Sequence, residues 1–78
     1  MRLSITGAES PELALRVLNL LAQQGVVVER ALIERDDGGC RMLLDTIPVA
    51  MALAERIVDK LRSMVLVSAV ERLDESAA

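Results

Sequence analysis

Polar and apolar residues alternate over Arg2-Leu3-Ser4-Ile5-Thr6, which predicts a half-buried strand with Leu3 and Ile5 facing the core. Gly7 to Glu9 then reads as a loop. From Ser10 onward the period lengthens: Ala14, Val17, Leu18 and Leu21 recur at helical spacing, and Gly25 supplies a stop. Ser10 is a good N-cap and Pro11 suits the first helical position, so the first helix is expected from Pro11 to about Gln24. Leu13, Leu15 and Leu20 widen its apolar stripe beyond what one sheet face requires. That excess is where a partner helix could pack.

The segment Val26 to Arg35 is rich in β-branched residues, but its apolar phase changes. Val26 and Val28 share one parity and Ala31 and Ile33 the other, which a bulge near Glu29-Arg30 would reconcile. Asp36-Asp37-Gly38-Gly39 offers the residues a tight turn needs, so Cys40 to Thr46 should return antiparallel as a hairpin. In that strand Met42 and Leu44 point one way, Arg41, Leu43 and Asp45 the other. Pro48 is expected to open a second helix reaching about Arg62, with Leu53, Ile57 and Leu61 as its stripe. Met64 to Leu73 reads as a last strand, and residues 74–78 as a frayed tail.

The order βαββαβ predicts an α+β, ferredoxin-like domain over residues 1–73, a four-stranded antiparallel sheet with both helices on one face. Right-handed crossovers place strands one and three in the centre. Strands two and four are left as edges, and an apolar edge with few gatekeepers, such as the first half of strand two, suits pairing with another chain.

Composition sharpens this picture. A monomer of this size buries only roughly 60% of the surface its unfolded chain exposes, yet 53% of the 78 residues are hydrophobic. Part of that material is expected against another chain. Leu13, Leu20, Val26 and Val28 are the expected seam of a homodimer in which two strand-two edges join. No apolar run approaches the ~18 residues a membrane span needs, and the start lacks a signal peptide's apolar stretch, so a cytoplasmic protein is expected. The lone Cys40 agrees with a reducing compartment. A net charge of −3 and the absence of aromatic residues offer nothing to a phosphate backbone or to stacked bases, which argues against nucleic acid.

Little in the chain suggests catalysis. There is no histidine, which excludes Ser-His-Asp and Cys-His arrangements and any His-containing metal site. Cys40 reads as a strand residue, the Asp36-Asp37 pair as a solvated turn, and the four methionines as core filler. One segment could meet a small ligand: Glu9-Ser10-Pro11-Glu12 feeds the positive end of the first helix. The same residues also make an ordinary capped helix start, with Ser10 accepting a backbone N–H and Glu12 complementing the dipole.

Pro11-Glu12-Leu13-Ala14-Leu15-Arg16-Val17-Leu18, with Gly25 following, resembles the first helix of ACT domains. Arg41-Met42-Leu43-Leu44-Asp45-Thr46 and Leu61 to Val70 resemble the third strand and the end of the second helix in small subunits of acetolactate synthase. Glu12 stands where that family has a glycine, and Val27 where it has an asparagine. The pairing of Pro11 with Glu12 looks most like the valine-insensitive type. The resemblance implies a non-catalytic subunit that activates a large catalytic subunit of acetolactate synthase, which would carry thiamin diphosphate, Mg²⁺ and flavin; this chain itself offers no motif for a cofactor. It also implies an alternative, a stand-alone module that senses an amino acid at a homodimer interface. In that case Glu9, Ser10 and Glu12 of one chain would face Val27 and Val28 of the other, and the Glu12 carboxylate would repel the ligand's.

Overall fold

Six elements build the chain: β1 (Arg2–Gly7), α1 (Pro11–Gln23), β2 (Val28–Asp36), β3 (Gly39–Thr46), α2 (Met51–Arg62) and β4 (Val67–Arg72). They come from a computed structural model that describes residues 1–73; the expected tail, 74–78, lies outside the described residues. The strands form one antiparallel sheet in the order β2-β3-β1-β4, the ferredoxin-like arrangement expected from the sequence. Along β1 and β3, alternation decides the faces: Leu3, Ile5, Met42 and Leu44 are fully buried, while Ser4, Arg41 and Asp45 turn to the open side. Leu13, Val17 and Leu21 of α1 close over that buried face together with Ala54, Ile57 and Leu61 of α2. Each of the larger apolar side chains contributes roughly 1.5 to 3 kcal/mol by leaving water.

Strand two carries the expected irregularity. Val28 pairs with Thr46 and Arg30 with Asp45, so Glu29 is the extra residue. The bulge resolves the change of phase: Val28 lies opposite buried Thr46 and Ile33 opposite buried Met42, both on the helix side of the sheet. The hairpin turn falls at Asp37-Gly38, between the paired Asp36 and Gly39, and Gly38 takes φ +85, which a side chain would resist.

The structure corrects the expected seam. Leu13 is fully buried and Val26 nearly so, both inside the protein's own core, so neither can meet a second chain. The stripe of α1 is centred on 13, 17 and 21, an i, i+4, i+8 series, with Ala14 and Leu18 beside it, partly buried against the core. Leu15 is the residue turned outward, and Leu20 is half-buried against the core.

Two boundaries also shift. Helix α2 begins at Met51 rather than Pro48: Ala50 remains extended, with ψ 144, and no side chain caps the helix. Val49 packs against the core from this extended stretch. Strand β4 begins at Val67 because Met64 to Leu66 form a turn, in which Val67 N–H donates to the Met64 carbonyl at 3.1 Å. Val65, at the tip of that turn, is 98% exposed. Ala8 N–H donates to the Leu66 carbonyl at 2.9 Å, which ties the turn to the loop after β1. The backbone can come this near only because residue 7 lacks a side chain; a Cβ there would clash with the Leu66 carbonyl and stand 3.1 Å from Leu13.

Candidate cleft between the first helix and the second strand

Antiparallel pairing sets Gly7 beside Cys40 and Cys40 beside Arg35, so three strands end in a row below the start of α1. The loop from Ala8 crosses this row and enters the helix at Ser10. There Ser10 Oγ accepts the Glu12 N–H at 3.2 Å, the expected cap. Between the helix start and the β2 edge lies an open cleft of about 410 Å³, lined by Glu9, Ser10, Pro11, Ala14, Ile33, Arg35 and Cys40. Pro11, Ala14, Ile33 and the nearly buried Cys40 make its walls apolar. An ion pair between Arg35 and Glu9 supplies the charge at its mouth. Both partners are well exposed, so the pair adds at most ~1 kcal/mol to stability.

Of the residues expected to meet a ligand, only Glu9 and Ser10 line this cleft. Glu12 turns along the helix instead: its Oε1 accepts from Nη2 of Arg16 at 2.8 Å and from Nε at 3.0 Å, one helical turn on. Glu12 stays in the first turn of α1, and this exposed pair partly offsets its charge. Val28, which pairs with Thr46, opens β2 at the end away from the cleft, and Val27 just precedes it. Arg35, Ile33 and Cys40 were not expected as site residues. The signal was available: a hairpin closing at Asp37-Gly38 sets residue 35 opposite 40, and the ferredoxin-like order sets 40 opposite the end of β1.

Chemically the cleft presents one cation, one carboxylate, one hydroxyl and one thiol around an apolar wall. Such an arrangement matches a small zwitterion with an apolar side chain, provided that it competes with Glu9 for Arg35. A second hollow of about the same volume lies at the bulge, lined by Met1, Arg2, Glu29, Arg30, Asp45 and Thr46. Its charges are internally matched: Arg2 Nε donates to Asp45 Oδ1 at 2.6 Å. This bond, aided by Arg30, holds the Asp45 carboxyl below the usual range. Among the described residues no group of acidic, cysteine or histidine side chains is placed to hold a metal, and no helix is long and apolar enough to cross a membrane.

Comparison with known proteins extends this description. The ACT domain of a GTP pyrophosphokinase from Chlorobium tepidum superposes with a TM-score of 0.79 at 19% identity, covering 92% of this chain and 94% of that one. The small subunit of acetolactate synthase from Thermotoga maritima gives 0.78 at 20% identity, covering 95% of this chain but 47% of that one. The regulatory subunit of aspartate kinase from Thermus thermophilus gives 0.63 at 14% identity, over 91% of this chain and 49% of the other. At these identities the likeness is one of fold. No curated protein matches the chain in sequence. The model of one family, described as ACT-like domain, matches residues 1–77. The chain belongs to that family of ACT-like domains, which are regulatory modules rather than catalytic ones.

Proposed function

We propose that this chain is a non-catalytic regulatory subunit that binds and activates a larger, thiamin-diphosphate-dependent partner, as in the acetolactate synthase of branched-chain amino acid synthesis. The observation that carries the reading is apolar surface left open on a small regulatory fold. Leu15, Met51 and Val65 are 69%, 70% and 98% exposed, and Leu32 and Ile33 of the β2 edge are half exposed. Surface of this kind suits burial against other chains. The likeness of residues 41–46 and 61–70 to acetolactate synthase small subunits supports this choice of partner, and the fold of the Thermotoga subunit is compatible with it. In the absence of that partner the chain pairs with itself through β2. The test is co-purification with an acetolactate synthase large subunit and its turnover on adding the chain. A saturable rise supports the proposal, and no complex at micromolar concentration overturns it.

The alternative, an amino-acid sensor, draws on the zwitterion-sized cleft. Against free valine as its ligand stands Glu9, which already neutralises Arg35. A ligand carboxylate would have to displace one carboxylate to make the same contact. Valine is therefore expected to bind weakly or not at all. A thermal-shift panel of amino acids separates the readings, since a sensor gains RT ln(1 + [L]/Kd) and a pure partner subunit gains nothing.

A further inference from the structure

The second edge of the sheet is β4, and an edge strand offers its unpaired backbone groups to any other chain that can add a strand. Which groups β4 offers follows from its ladder with β1. Leu73 N–H donates to the Arg2 carbonyl at 2.9 Å, so Leu73 turns its backbone toward β1. Backbone directions alternate along a strand, so Glu71 and Ala69, opposite Ser4 and Thr6, turn the same way. Val70 and Arg72 therefore turn their N–H and carbonyl groups outward. Val70 stands in mid-strand with its side chain fixed in the core, so its carbonyl is the natural first acceptor for an added strand. That acceptor is already taken: Arg62, the last residue of α2, donates to the Val70 carbonyl through Nη2 at 3.2 Å. Two charges flank the spot. Arg72 stands opposite buried Leu3 and so points to the helix side, while Glu71 is exposed on the open side. Inward-pointing and edge charges of this kind discourage strand pairing.

We infer that Arg62 closes the β4 edge to strand addition, so that no second copy of the chain can extend the sheet on this side. An incoming strand has to give an N–H to the Val70 carbonyl, and to do so it must displace a guanidinium that then loses its acceptor beside an added strand. The end of a helix also favours a cation through its dipole. That effect does not require the side chain to reach across to β4, and here it does reach. The consequence lies in assembly. Strand pairing at both edges of an open sheet adds copy after copy without closing, whereas one sealed edge keeps the assembly finite. The inference does not depend on which chain covers β2.

Sedimentation of the full chain with Arg62→Ala tests this. At high micromolar concentration the variant should have at least roughly double the mass of the unmodified chain, because one new edge joins two copies. Growth through unfolding would also raise the mass, so the same measurement is made with Arg72→Pro added. Proline removes an outward N–H of β4 and leaves the ladder to β1 intact, so it should return the variant to the size of the unmodified chain. A variant that merely exposes its core would grow further instead, since proline cannot restore lost packing. Arg62→Ala at the size of the unmodified chain overturns the inference, and so do larger species that persist with Arg72→Pro. Should circular dichroism show Arg62→Ala unfolded, Arg62→Met decides by the same two criteria, because methionine keeps the stem and a high helix propensity but has no group to donate.

Discussion

Replacing Leu13 by alanine tests where the first helix spends its apolar residues. Leu13 is fully buried and packs near Gly7, under the turn that precedes β4, whereas Leu15, two residues on, is 69% exposed. Truncating a buried leucine removes its transfer free energy and leaves a cavity, which costs ~2 to 5 kcal/mol. A domain of this size is stable by roughly 4 to 12 kcal/mol, so the variant should be crippled and can fall below half folded. Leu15→Ala, by contrast, should change the stability of the isolated chain by about 0.5 kcal/mol or less. Urea unfolding at one fixed protein concentration measures both, because self-association would otherwise shift the midpoints. A loss below ~1 kcal/mol for Leu13→Ala, together with a larger loss for Leu15→Ala, would refute the assignment of core and surface on α1.

Gly7→Ala should destabilise by ~1 to 3 kcal/mol or more, because its Cβ would meet the Leu66 carbonyl, a backbone atom that cannot swing aside; thermal unfolding detects this, and an unchanged midpoint would mean that the turn gives way freely. Asp45 has a lowered pKa, first because Arg2 donates to it. Its contribution to stability is therefore present above its unfolded pKa of roughly 4 and is lost as pH falls through the lower folded value. The stability difference between the unmodified chain and Asp45→Asn should narrow below about pH 4 and hold steady above pH 5, and a difference flat across the acid range would remove Asp45 from the account. Glu9→Gln frees Arg35 and should improve any binding of apolar amino acids by calorimetry; tight valine binding by the unmodified chain would contradict the role given to Glu9.

The topology was legible because each element carried its own signal. Alternation in β1 and β3, Ser10 and Pro11 before α1, and Asp-Asp-Gly-Gly between the hairpin strands all act locally. The bulge could be inferred as well, since the phase change around Glu29 has no other remedy in a strand with one buried face. What failed depended on contacts between elements. Periodicity alone could not separate Leu13 from Ala14 as the inward residue, because adjacent helical positions differ by 100° and both fit a broad stripe. The apolar run Met64-Val65-Leu66 reads as strand, yet the connection from α2 requires a turn there. The cleft was half legible: Glu9 and Ser10 came from the helix start, but Arg35 and Cys40 join them only through pairing between strands. Glu12, expected near a ligand, pairs with Arg16 one turn along the same helix.

The central claim, a regulatory subunit acting through a larger enzyme, is met most directly by titrating the purified chain into an acetolactate synthase large subunit while following turnover and complex formation together. The account predicts a saturable rise in turnover that reaches its plateau as the complex does. Unchanged turnover, with no complex at micromolar concentrations of both proteins, would contradict it.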